Sequence, residues 1–176
     1  MLTIRADLVD AMVAHARADH PDEACGVIAG PEGSDRPERY IAMVNAERSP
    51  TFYRFDSGEQ LKVWREMDNA DEAPVVIYHS HTATEAYPSR TDISYASEPD
   101  AHYVLVSTRD PDAHELRSYR IVIYPGVRAR LSPLAFMTPD AAVGVPTVVP
   151  THYLHALGPD IIFKLFDDHV TAARSR

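Results

Sequence analysis

The sequence predicts an α+β fold in which helices pack on one mixed β-sheet. Three observations carry this. Two segments have apolar residues at helical spacing, several short runs are continuously apolar, and strands and helices do not alternate strictly. Over 176 residues, 45% apolar and 24% charged content suits one globular domain, with at most a short appendage.

Residues 4–19 read as the first helix. Leu8, Met12 and Ala16 recur at i, i+4, with Val9 and Val13 beside them. His20-Pro21 ends it, because a residue before proline avoids the α region. The run Ala24-Cys25-Gly26-Val27-Ile28-Ala29-Gly30 reads as a buried strand. After a turn at residues 31–35, residues 39–44 form a second strand, hairpin-paired with the first. Residues 48–55 are an aromatic-rich loop. Residues 57–69 form the second helix. Ser57-Gly58-Glu59-Gln60 has the form of a capping box, and Leu61, Val63, Trp64 and Met67 supply the apolar face, with Trp64 its core anchor. Residues 74–80 are a further buried strand. Ser89-Arg90-Thr91-Asp92 repeats the capping pattern and opens a third helix to about residue 97. Residues 101–107 and 116–124 are two more strands. Beyond Tyr124, prolines recur and periodicity fades, and only residues 161–169 look helical. Residues 1–124 are therefore read as the domain and 125–176 as an irregular extension.

The charge balance excludes some functions. Against 26 acidic residues stand 17 basic ones, a net charge of -9, which is the wrong sign for a phosphate-binding surface. Runs such as Pro74-Val75-Val76-Ile77-Tyr78 are too short to span a bilayer, and residues 1–7 lack the features of a signal peptide. The single cysteine, Cys25, permits no internal disulfide, so a reducing cytoplasm is the expected compartment.

The chemistry concentrates between His79 and Asp92. His79 and His81 stand two apart at the end of a strand, so both imidazoles project from one face. Asp92 follows in the first turn of the next helix and offers a carboxylate. Two imidazoles and one carboxylate leave a fourth tetrahedral position open, as in catalytic zinc sites. Each residue alone has a plainer reading: a packed histidine, or a helix cap at Ser89 and Asp92. Glu23, alone, reads as a turn residue. Placed just before a buried strand, its carboxylate is a candidate general base with a raised pKa.

The pattern Glu23, His79-Ser80-His81, seven residues, Ser89, two residues, Asp92 resembles the JAMM (MPN+) zinc metalloproteases. The segment from Glu23 to Gly30 is similar to that family's E-x-C-G-x-x-x-G opening strand. The likeness covers residues 2–124. It implies a JAMM/MPN-like (cytidine-deaminase-like) mixed sheet flanked by helices. It also implies one Zn2+ per chain on His79, His81 and Asp92, with Glu23 as general base and Ser89 stabilising the oxyanion. More narrowly, the stretch resembles actinobacterial members that remove cysteine from the C-terminus of a ubiquitin-like sulfur carrier protein. The implied partner is then such a carrier with a C-terminal Gly-Gly bearing cysteine, with no nucleic acid and no membrane. Many members carry proline after the second histidine; here it is Thr82, which leaves the ligands intact and the loop less stiff. The segment past residue 124 resembles nothing in the family.

The substrate tail is expected to pair with an exposed strand edge. Arg48, Phe52, Tyr53, Arg54 and Phe55 are the candidates for part of that groove; a packed surface loop is the alternative. Two other functions compete. A non-catalytic scaffold of the same fold would usually lack the ligands, and all are present. An isopeptidase for another ubiquitin-like modifier or a peptide would share every ligand. Cys25 reads as an inert core thiol. His15, His20, His102 and His114 read as surface residues, and His152, His155 and His169 as solvated or disordered ones, with a second metal site as the alternative.

Overall fold

Strand β4, Glu72–His81, runs through the middle of the molecule and ends at the two histidines. In the computed structural model, residues 2–125, 154–156, 161–168 and 170–173 are described. The other elements are β1 (Leu2–Arg5), α1 (Ala6–Asp19), β2 (Cys25–Pro31), β3 (Arg39–Met43), α2 (Ser57–Asp68), α3 (Arg90–Tyr95), β5 (His102–Ser107), β6 (Glu115–Pro125), β7 (Leu154–Ala156), β8 (Ile161–Asp168) and β9 (Val170–Ala173). One seven-stranded sheet has the order β3-β2-β4-β5-β6-β8-β7, and β1 pairs with β9 in a small second sheet. The main sheet is mixed: β4 and β5 are parallel, while the β2–β3 and β2–β4 pairs are antiparallel.

β2, β4 and β5 are apolar on successive residues because both of their faces are covered. On one face Leu8, Met12 and Ala16 of α1 pack with Leu2, Ile4, Ile28, Val76, Tyr78 and Val104. Burying a side chain such as Leu8 or Met12 contributes about 1.5–3 kcal/mol. On the other face Val63 and Met67 of α2 and Ile93 of α3 pack with Cys25, Val27, Ile77, Tyr103 and Leu105. Gly26 is where β3 and the Tyr78 ring close in: a Cβ there would meet the Ile41 carbonyl and the Tyr78 hydroxyl. Among the described residues no helix is long and apolar enough to cross a membrane.

Several expectations are corrected. The first helix begins at Ala6, because Leu2 and Ile4 alternate with exposed neighbours and pair with β9 as a strand. α2 is capped by Asp56, one residue earlier than Ser57. The Asp56 carboxylate accepts from the Glu59 amide at 2.9 Å, and the Glu59 carboxylate accepts from the Val44 amide at 2.8 Å. Leu61 points outward, 53% exposed, while Trp64 is half-buried against the core. α3 stops at Tyr95. His102 is buried, held by Asp35, Arg120 and Ser118. Residues 161–168, expected to be helical, form β8, whose hydrogen bonds to β6 give a strand edge a partner. His152 and His169 lie outside the described residues. We propose that residues 1–124 form the catalytic unit, since every candidate site residue lies between Glu23 and Asp92.

Candidate active site

The two histidines reach the site because β4 ends there with both on the same face, covered by α2 and α3. Both rings are buried, His79 at 1% and His81 at 6% exposure. α3 brings the third group. Ser89 is its N-cap, and the capping box is complete: the Asp92 amide donates to the Ser89 hydroxyl at 3.1 Å, and the Ser89 amide donates to the Asp92 carboxylate at 2.6 Å. The cap thereby aims Asp92 while using one carboxylate oxygen. The Asp92 Oδ1 lies 3.4 Å from His79 Nε2, and its Oδ2 lies 3.4 Å from His81 Nε2. The two Nε2 atoms are 3.2 Å apart.

The donor set fits a metal ion. One ligand atom from each of His79, His81 and Asp92 lies within 4.8 Å of the others. The His81 Nδ1 donates to the Glu85 carbonyl at 2.8 Å, so in the neutral ring its Nε2 is a bare lone pair. Lone pairs and a carboxylate thus converge on one point, an arrangement that a cation satisfies. Burial pushes the Asp92 carboxyl up. When the imidazoles are protonated instead of metal-bound, the charge of His79 and hydrogen bonds from His79, His81 and Ser89 outweigh that and hold it well below the usual carboxylate range. Burial likewise lowers His81, and Asp92 with the Glu85 carbonyl reverses it to a net rise.

Glu23 arrives through the sheet. Cys25 pairs with His79 in the antiparallel β2–β4 ladder. One step on, the Ser80 amide donates to the Ala24 carbonyl at 2.9 Å and the Ala24 amide donates to the Ser80 hydroxyl at 2.8 Å. Continuing that register sets Glu23 beside His81, on the same face. Glu23 is only 4% exposed. Burial pushes its carboxyl up to about 7; His81 opposes the rise and Asp92 adds to it. A carboxylate near 7 is suited to take up and give back a proton at neutral pH.

A cleft of about 500 Å³ opens at Glu23. It runs along Ala42, Met43 and Val44 on the β3 edge, between His15 and Asp19 of α1 and Glu59 of α2. Of the five groove candidates, Arg48 lines this cleft. Phe55 is buried in the core, and Tyr53 is half-buried against it. Phe52 packs edge-on against Tyr95, and Arg54 pairs with Glu47 at 2.5 Å. Cys25 is fully buried with its thiol pushed up by burial, so it is a core residue.

Sequence reasoning missed Asn45 and the contact of Tyr53 with His79. The buried Asn45 amide donates to the Glu23 carbonyl at 2.9 Å and the Phe52 carbonyl at 3.1 Å, and accepts from the amides of Glu47 and Arg54. The only signal in the chain was a polar residue directly after an apolar strand. The Tyr53 ring stacks on His79, with centroids 4.4 Å apart.

Known proteins resemble this chain in sequence and in fold. The family described as prokaryotic homologs of the JAB domain matches residues 5–122. A CysO-cysteine peptidase from Mycobacterium tuberculosis is 84% identical over 122 residues, which span 69% of this chain and 84% of that protein. A desampylase from Haloferax volcanii is 32% identical over 123 residues, spanning 65% of this chain and 86% of its own. In fold, a solution structure of a protein from Desulfitobacterium hafniense matches with a TM-score of 0.66, at 22% identity, over 99% of this chain and 94% of that one. By the residues matched and by these relatives, the chain belongs to the prokaryotic JAB-domain family.

Proposed function

We propose that this JAB-family peptidase is a zinc enzyme, with one zinc ion per chain, that cleaves the bond between the C-terminal glycine of a ubiquitin-like sulfur carrier protein and cysteine. Free cysteine is the product, and the cytoplasm is the compartment. The convergence of His79, His81 and Asp92, with the buried Glu23 carboxyl pushed up to about 7, carries the chemistry. The 84% identity to CysO-cysteine peptidases supports the substrate.

His79, His81 and Asp92 hold the ion. Bound zinc supplies a Lewis acid that lowers the pKa of water toward about 7 and polarises a carbonyl. Glu23 takes one proton from the attacking water. Oxygen then bonds to the glycine carbonyl carbon, the carbon–nitrogen bond breaks, and Glu23 returns the proton to the departing amine of cysteine. The Ser89 oxygen already accepts from the Asp92 amide, so its own hydrogen is free to donate to the oxyanion. Remote contacts with the body of the carrier help position the scissile bond, so a short Gly-Gly-Cys peptide is a much poorer substrate.

The desampylase relative supports a second reading, removal of another ubiquitin-like modifier by the same groups. Mass spectrometry of a carrier amide-linked to cysteine separates the two. Loss of one cysteine residue supports cysteine release. An unchanged carrier, with folded and zinc-loaded enzyme, rejects it and leaves the broader isopeptidase.

A further inference from the structure

His79 and His81 offer the same ligand atom but are held differently. The Nδ1 of His81 donates to the Glu85 carbonyl, which fixes both ring and tautomer. The Nδ1 of His79 is buried and meets no hydrogen-bond partner among the described residues. A metal-binding imidazole is ordinarily oriented through that second nitrogen. What His79 has instead is a ring: Tyr53 lies face to face with it, centroids 4.4 Å apart and planes 22° from parallel.

The tyrosine is itself held on several sides. Asn45 accepts from the Arg54 amide at 3.2 Å and donates to the Phe52 carbonyl at 3.1 Å, so both peptides flanking Tyr53 are tied to one buried amide. Phe55 packs edge-on against the Tyr53 ring at 5.7 Å, and Trp64 backs Phe55 at 6.0 Å. A row of rings thus leads from α2 to His79. The same Asn45 nitrogen donates to the Glu23 carbonyl, so the loop carrying Tyr53 and the start of the strand carrying the base share one anchor.

We propose that Tyr53 is a positioning residue that holds the His79 ring by its face, in place of the usual hydrogen bond. The proposal rests on the reading of His79, His81 and Asp92 as a metal site. A flat neighbour stops the imidazole from turning about its Cβ–Cγ bond. An imidazole that shares its lone pair with a cation is electron-poor, and the face of a tyrosine ring is electron-rich, so the stack tightens when metal binds. An aliphatic side chain of similar size fills the space without supplying that attraction.

The test is the zinc dissociation constant, measured by chelator competition on the full chain, with the melting temperature of each metal-free protein as a control on folding. Tyr53→Phe keeps the ring and is expected to bind zinc within about twofold of the wild type, while Tyr53→Leu loses roughly 10-fold or more, the scale on which outer partners of a ligand act. A folded Tyr53→Leu protein with wild-type affinity would show Tyr53 to be core packing only. Weakened binding in Tyr53→Phe would assign the effect to the hydroxyl and overturn the proposal. If the leucine variant does not fold, Tyr53→Met replaces it as the unbranched non-aromatic variant, with a loss of zinc affinity supporting the stack and wild-type affinity contradicting it. A wild-type chain that binds no zinc overturns the metal reading itself, a separate failure.

Discussion

The Nε2 atoms of His79 and His81 face each other at 3.2 Å, each 3.4 Å from an oxygen of Asp92. Three electron-rich groups meet in a buried space, and the elements bearing them are fixed by β4 and by the cap of α3. A buried cluster of this kind is stable when a cation occupies its centre. His81→Ala should therefore lose bound zinc and hydrolysis together. Elemental analysis of the purified variant checks this, and full zinc content would contradict it.

Glu23 has a different task. Glu23→Gln keeps size but takes no proton at neutral pH. It should still bind zinc and lose at least about 10²-fold in turnover, the scale of a removed general base. A wild-type rate would show that the base is another group.

The buried carboxyl of Glu23 also costs stability in the metal-free protein. Its folded pKa of about 7 exceeds the ordinary 4.5, so the folded form holds the proton more tightly than the unfolded chain does. Stability therefore falls as pH rises from about 4.5 to about 7, then levels. The full penalty is on the order of 3 kcal/mol. Metal-free Glu23→Gln should melt higher than the metal-free wild type at pH above 7, and the gap should close toward acid. Melting temperatures across that range check the sign.

Ser89 both caps α3 and is the proposed oxyanion donor. Ser89→Ala should lose about 10²-fold in turnover from the missing donor. Loss of the cap should cost about 1 kcal/mol of stability. Measuring both separates the roles: a stability loss with unchanged turnover would leave Ser89 as a cap alone.

A chain ending at Tyr124 should fold, bind zinc and release cysteine, because Glu23, His79, His81, Ser89 and Asp92 all precede the cut. It should melt at a lower temperature than the full chain, since β6 loses its hydrogen bonds to β8. Circular dichroism and zinc analysis of the shortened chain decide it. Failure to fold would show that the C-terminal strands belong to the catalytic unit.

The convergence of His79, His81 and Asp92 was legible because its order is local. Alternation on one strand sets His79 beside His81, and a capping box four residues long sets Asp92. Glu23 was legible only through family resemblance, since its position depends on the pairing of β2 with β4 across 56 residues, as in the Ala24–Ser80 contact. His102 was misread for a related reason. Its strand lies in the middle of the sheet, where a polar side chain is buried and must find partners such as Asp35 and Ser118. The Ile161–Asp168 segment has an apolar pattern compatible with either period, and pairing with β6 made it a strand. Tyr53 was seen as an aromatic in a loop, but nothing in its neighbours named His79 as the ring it would cover.

Cysteine release from the carrier, followed on metal-free protein before and after zinc is restored, tests the central claim most directly. The metal-free chain should be inactive, and activity should return as zinc approaches about one ion per chain. Undiminished hydrolysis after thorough chelation, with metal absent by elemental analysis, would contradict the account.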